Sequence, residues 1–274
     1  MCRVQAAFGV FKSSAAGTHI DSLNRRFRPM AACTFVFVNI HLFLNKNYNS
    51  KSSLHHPNGF PMALQYRIFP VTPFRQNCTL LWDDATNDAV LTDVGGDSGF
   101  LWQHVQQQGL NLRAVWLTHG HLDHAGGVPF LLQHHPADVL GPHREDEFLL
   151  QSLPHTTAEY GFPVCPAFAP TRYLNEGDTL TVGQQRFDVL HIDGHTPGHV
   201  VFHSPDNRLL IAGDVLFYES IGRTDFPRGN HQALLDNIRR KLYTLPDDTL
   251  VIPGHGRTTT IGHEKRHNPF VRAD

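Results

Sequence analysis

Cysteine is scarce in this chain. Cys2, Cys33, Cys78 and Cys165 are the only four in 274 residues, and no two form a CxxC pair. That spacing suggests neither a disulfide framework nor a thiolate zinc knuckle, and it fits a reducing, cytoplasmic compartment. Charge of one sign is missing as well. Lys and Arg number 23 against 25 Asp and Glu, a formal net charge of −2. With no basic excess and no stripe of Lys and Arg, the electrostatic footprint of a nucleic-acid binder is absent, and a small molecule is the expected partner. The apolar run from Thr34 to Leu44 falls well short of the ~20 residues that cross a bilayer, so no membrane association is expected. Arg25, Arg26 and Arg28 precede it, but it starts too far along the chain for a signal peptide and lacks a small-residue cleavage pattern. A serine nucleophile elbow is lacking too, since Gly95-Gly96-Asp97-Ser98-Gly99 does not have the GxSxG spacing.

What is present divides at Met62. Residues 1–61 hold Ser, Asn and His clusters without periodicity and are expected to be an N-terminal extension, disordered or a mis-assigned start. Residues 62–274 carry strand-like runs at Gln65–Val71, Cys78–Trp82, Ala89–Thr92, Arg113–Thr118, Arg186–Ile192, His199–His203, Arg208–Ala212 and Leu250–Ile252. Asp83–Asp88 and Ser204–Asn207 have hairpin-turn composition. Helical periodicity marks Ser98–Gln108, Gly126–His135, Arg144–Leu150 and Gln232–Tyr243. Strands interleaved with helices and hairpins predict an α/β domain of mixed sheets covered by helices.

Histidine is abundant, at 20 residues, and most of these are expected to be ordinary surface positions. The exception is Thr118-His119-Gly120-His121-Leu122-Asp123-His124, which follows the apolar strand Ala114–Leu117 and precedes a helix. In extended backbone, residues two apart face the same way, so His119 and His121 can serve one ion. A bend into the helix lets Asp123 and His124 address a second. His199 in Gly-His-Thr-Pro-Gly-His, Asp214 in Gly-Asp-Val-Leu-Phe and His255 in Pro-Gly-His-Gly each stand at a strand end. Five imidazoles and two carboxylates gathered without a cation would leave costly buried charge. Two divalent ions are therefore expected, with Asp214 as the bridge because a carboxylate has two oxygens. Zinc leads as the metal, with iron or manganese as alternatives. His195, on the same turn as His199, is expected to be structural, and Asp93 to orient a ligand histidine.

The set HxHxDH, GHTPGH, GDVLF and PGHG resembles the metallo-β-lactamase superfamily. Asn175-Glu176-Gly177-Asp178, Gly222-Arg223-Thr224-Asp225-Phe226-Pro227-Arg228-Gly229 and His267-Asn268-Pro269-Phe270 are similar to the short bacterial glyoxalase II enzymes, hydroxyacylglutathione hydrolases of the GloC type. The resemblance implies an αββα sandwich. One metal would take His119, His121 and His199, the other Asp123, His124 and His255, with Asp214 between them. The implied reaction is hydrolysis of a glutathione thioester such as S-lactoylglutathione to lactate and glutathione, as in methylglyoxal detoxification, with Asp123 and Asp214 as catalytic carboxylates. Long glyoxalase II enzymes grip glutathione with a C-terminal helical domain, whereas this chain stops at Asp274, so glutathione binding is expected to be differently built. Arg223 is the expected substrate contact, with Arg228 and Phe217 behind it. A monomer or small homo-oligomer is expected. The main rival is a persulfide dioxygenase of the same superfamily, using one ferrous ion on His119, His199 and Asp214 as a facial triad.

Overall fold

Long apolar strands need cover on both faces, and this chain provides it in four layers. The computed structural model describes residues 52–55 and 61–272, with side chains from residue 64 onward, all within the compact unit 49–274. The first sheet runs in chain order: β1 (Ser52–His55), β2 (Pro61–Val71), β3 (Gln76–Asp83), β4 (Asp88–Thr92), β5 (Asn111–Trp116) and β6 (Asp138–Leu140). Pairing is antiparallel as far as β4 and parallel from β4 to β6. The second sheet has the order β14 (Thr259–Thr260), β13 (Leu250–Pro253), β10 (Leu209–Gly213), β9 (Val200–Ser204), β8 (Gln185–His191), β7 (Thr179–Val182). Only its β10–β13 pair is parallel. A short hairpin, β11 (Leu216–Phe217) with β12 (Ser220–Ile221), stands apart.

The period of two along each strand distributes its side chains between layers. From β3 and β5, Cys78, Leu80 and Val115 face helices α1 (Ser98–Gln107), α3 (Val128–His134) and α4 (Glu147–Glu159), the short α2 (Leu122–Ala125) lying between α1 and α3 in the chain. Leu81, Ala114 and Trp116 face the other sheet instead, meeting Phe187, Val200, Phe202, Leu209 and Ile252. Leu210, Ala212 and Val251 point out of the second sheet toward α5 (His231–Asn237) and α6 (Ile261–His267). This is the expected αββα sandwich. Trp116 is its centre, with ring centroids 5.2 Å from both Phe187 and Phe202. Trp116→Ala is expected to cost about 3–5 kcal/mol, read as a lowered urea midpoint at unchanged slope.

Three boundaries differ from the sequence reading. β1, and Pro61 at the start of β2, lie within the segment set apart as an extension; what was expected of residues 1–51 and 56–60 falls outside the described residues. α4 continues to Glu159 through Pro154, because Leu150, Leu153 and Thr157 are buried and the Thr157 hydroxyl donates to the Leu153 carbonyl at 2.6 Å. Burial there outweighs the cost of about 3 kcal/mol for an interior proline. Finally, β6, β7, β11, β12, β14 and α6 were unmarked in the sequence: all are short, and β7 alternates exposed and buried residues over only four positions, without an apolar run.

Candidate metal centre

Both sheets present loops at one edge, and hydrogen bonds stitch those loops together. The Val200 N–H donates to the Thr118 carbonyl (2.8 Å), Gly254 N–H to Gly213 (2.7 Å) and Asn77 N–H to Gly254 (2.7 Å). The Asn77 side-chain amide donates to Pro253 and Gly256 on either side of His255. Gly254 has no alternative here: a Cβ would lie 2.1 Å from Asp214 Oδ1 and 2.7 Å from His124 Cε1.

Imidazoles and carboxylates converge on this edge. His121 Nδ1 lies 3.0 Å from His119 Nε2 and 3.1 Å from His195 Nε2. Beside them, Asp123 Oδ2 is 3.2 Å from His255 Nε2 and 3.9 Å from His124 Nε2. Asp214 spans the two groups, with Oδ1 3.4 Å from His124 Nε2, and Oδ2 3.6 Å from His195 Nε2 and 3.7 Å from His255 Nε2. Three overlapping sets result, each with its donor atoms within 4.8 Å of one another: His119, His121 and His195; His119, His124 and Asp214; Asp123, His124 and His255.

The two histidines of the GHTPGH loop therefore stand the other way round from the expectation. His195 joins the cluster, while His199 lies behind it, stacked on His119 at 4.7 Å, its Nε2 accepting the Asp214 N–H at 3.0 Å. An acceptor nitrogen committed to a backbone amide is not free for a cation.

The outward nitrogens settle which way the others face. His124 Nδ1 lies 3.1 Å from Asp93 Oδ2, His195 Nδ1 2.7 Å from the Arg223 carbonyl, His255 Nδ1 3.3 Å from the Phe74 carbonyl and His119 Nδ1 3.0 Å from Thr118 Oγ1. With those nitrogens protonated, each Nε2 turns a lone pair inward, the arrangement of metal-ligating histidines. Asp93 supports two of them: it receives the Thr118 N–H and hydroxyl, each at 2.8 Å, and faces His124. Its backbone is left-handed (φ 53°), which Asp tolerates better than most residues. His124 Nε2 and Asp214 Oδ1 are buried without any hydrogen-bond partner. A ring-nitrogen lone pair and a carboxylate oxygen are both acceptors, and two orphaned buried acceptors facing one another call for a cation between them, so the donor set fits a cation.

Electrostatics divides the cluster. Burial, and then the neighbouring imidazoles, hold His119, His195 and His199 below the ordinary histidine range and bring His121 down to about 3. Burial works against charge on His124 and His255 too, but the carboxylates of Asp214 and Asp123 overcome it and raise both. Burial opposes charge on Asp214, and His124 more than reverses that, holding the carboxyl well below its usual range. For a buried neutral imidazole the unfolded chain binds the proton more readily, so stability falls with falling pH below the unfolded value of ~6.5. His124 and His255 act oppositely, their contribution being lost as pH rises through their raised values. Metal-free protein is thus expected to lose stability between about pH 6.5 and 3, measured as urea midpoints; a flat profile across that window would contradict neutral burial.

Of the expected substrate contacts, Arg223 pairs with Asp225 through two bonds of 2.9 and 2.7 Å and lies over Phe226 at 4.5 Å; the Phe226 ring is 4.7 Å from that of His121. Phe217 stands edge-on to His255 at 6.3 Å. Arg228 is further off, over Phe148 at 4.2 Å, lining a cavity of about 930 Å³. Sequence reasoning missed Asp146, whose buried carboxylate contacts Gly120, Thr196 and Gly198; no local pattern marks it.

Comparison with known proteins agrees with this geometry. The family model described as the metallo-beta-lactamase superfamily matches residues 71–255. The chain belongs to the metallo-β-lactamase superfamily. It is 46% identical over 211 residues to hydroxyacylglutathione hydrolase GloC of Haemophilus influenzae, covering 77% of this chain and 99% of that protein. Among solved structures it resembles the BLEG-1 B3 metallo-beta-lactamase, with TM-score 0.70 and 36% identity over 75% of this chain and 99% of the other. It also resembles TTHA1623 in a di-iron-bound form, with TM-score 0.67 and 35% identity over 75% and 100%. Superfamily membership together with the similarity to GloC makes the chain a metal-dependent hydrolase.

Proposed function

We propose that this hydrolase cleaves glutathione thioesters such as S-lactoylglutathione, releasing the hydroxy acid and glutathione, with two divalent ions. The observation that carries the reading is Asp214, whose two oxygens face His124 on one side and His195 and His255 on the other. His119, His121 and His195 would hold one ion, Asp123, His124 and His255 the other, and Asp214 would bridge. His195 thus takes the place expected for His199. Zinc suits this imidazole–carboxylate set, and so do iron and manganese; the similarity to GloC supports the thioester substrate.

The ions when bound supply hydroxide near neutral pH by lowering the pKa of water from 15.7 to about 7. The chain's own residues do the rest. The outer-nitrogen bonds of His119, His124, His195 and His255 fix each ring with its Nε2 lone pair turned inward. The Asp123 carboxylate, fixed by His255 at 3.2 Å, is placed to take the proton of the attacking water. The departing thiolate is a good leaving group and needs no strong acid. Phe226 and Phe217 line the approach beside His121 and His255. The Arg223–Asp225 pair is exposed on both sides and so worth little, which leaves Arg223 free to exchange Asp225 for a glutathione carboxylate. Arg223→Ala is expected to raise KM about tenfold with kcat kept, the loss of one charge-assisted bond; unchanged KM would remove Arg223 from the site.

A single ferrous ion on His119, His199 and Asp214 would leave Asp123, His124 and His255 gathered without a cation, and the geometry does not favour it. Buried, unpaired Cys78 and Cys165 fit a cytoplasmic setting, and no helix among the described residues is long and apolar enough to cross a membrane. The deciding experiment joins elemental analysis of protein purified without added metal to S-lactoylglutathione hydrolysis. Two ions per chain with thioester cleavage is the expected outcome; nitrocefin turnover, or oxygen uptake with glutathione persulfide, in its place overturns the reading.

A further inference from the structure

Asp146 stands at the N-cap of α4, yet its side chain makes no bond to that helix. An aspartate there normally stabilises its own helix by about 1 kcal/mol. Its oxygens are turned elsewhere. Oδ2 accepts the Gly120 N–H at 3.0 Å and the Thr196 hydroxyl at 2.7 Å, and Oδ1 accepts the Gly198 N–H at 2.6 Å. Gly120 lies between His119 and His121, and Thr196 and Gly198 lie between His195 and His199. One fully buried carboxylate thus grips both loops that bring the first three imidazoles together, and it forms no ion pair among the described residues. Burying such a group is costly, and its three charge-assisted bonds are what offsets the cost. The grip also accounts for a motif glycine: a Cβ on Gly198 would lie 2.5 Å from Asp146 N and 2.8 Å from its Cβ and Cγ. The His143 N–H holds the Gly198 carbonyl from the other side, at 3.0 Å.

We infer that Asp146 is a positioning residue: it sets the spacing between the His119–His121 pair and His195, and through it the affinity of that cation position, without touching ion or substrate. The inference rests on the metal reading above.

The test uses the full chain with Asp146→Asn, which keeps the shape but aims an amide N–H at N–H donors. Zinc affinity of each position is read by competition with a chelating dye, the positions being assigned with His195→Ala and His255→Ala proteins. Amide hydrogen exchange at Gly120 and Gly198 is read on metal-free protein. The His119–His121–His195 position is expected to weaken about 10–100-fold, the Asp123–His124–His255 position to stay within about threefold, and both glycine amides to exchange at least about tenfold faster. Equal weakening of both positions, or unaltered exchange, overturns the assignment. Should wild-type protein bind no zinc, the metal reading fails while the exchange measurement still judges the clamp. Should Asp146→Asn not fold, Thr196→Val decides: deleting one bond is expected to weaken the same position about fivefold, and no change there overturns the inference.

Discussion

Asp214→Ala is expected to abolish thioester turnover while the protein stays soluble and folded. Asp214 is the carboxylate that faces both groups of histidines, and the core beneath it is built from the sheets rather than from the site. Its loss leaves His124 Nε2, already without a hydrogen-bond partner, facing no carboxylate but the more distant Asp123. Losing the chemistry that a complete pair of ions would supply is expected to cost about 4 kcal/mol of transition-state stabilisation, which at tenfold per 1.36 kcal/mol is a fall in rate of about 1000-fold. Bound metal should drop below two ions per chain, and far-ultraviolet circular dichroism should be unchanged. The raised pKa of His124 depends first on Asp214 among the carboxylates, so in metal-free protein the variant should also titrate that histidine at lower pH. Turnover above about a tenth of wild type would refute the bridging role.

The second large effect separates the two histidines of GHTPGH. His195→Ala is expected to lose one ion and about 100–1000-fold in rate, because His195 Nε2 is a donor in the His119–His121 set. His199→Ala is expected to keep both ions and lose about tenfold, the effect of leaving the Asp214 amide without its acceptor. Metal content per chain is the discriminating reading. An ion lost from His199→Ala but retained in His195→Ala would restore the ligand set expected from the motif and overturn the exchange of roles.

How far the sequence could be read depended on how local each signal was. Strands β3, β9, β10 and β13 were legible because sandwich layers cover both faces, so nearly every residue in them is buried and the runs stand out as apolar. β6 and β14 are too short for a period, β7 alternates over only four residues and so forms no apolar run, and Pro154 masked the second half of α4. In the site, His119, His121, Asp123 and His124 were legible because a single turn after β5 carries them. Asp93 was legible as a carboxylate at the end of β4. Asp146 was not, since all three of its partners are distant in sequence.

By itself the sequence determined the donor chemistry: imidazoles and carboxylates at strand ends, in a spacing that a metal requires and that neither thiolates nor a serine nucleophile could replace. It determined the mixture of strands and helices as well, through continuous apolar runs in strands covered on both faces, while the αββα layering was what the resemblance of its motifs implied. Only the tertiary structure decided which imidazole of the GHTPGH loop faces the cluster. A histidine's lone pair points where its other nitrogen leaves it free to point, and those outer partners come from remote segments: the Arg223 carbonyl for His195, Phe74 for His255, Asp93 for His124. For His199 the Asp214 amide takes the lone pair itself. No local pattern encodes such contacts, because the chain must fold before they exist.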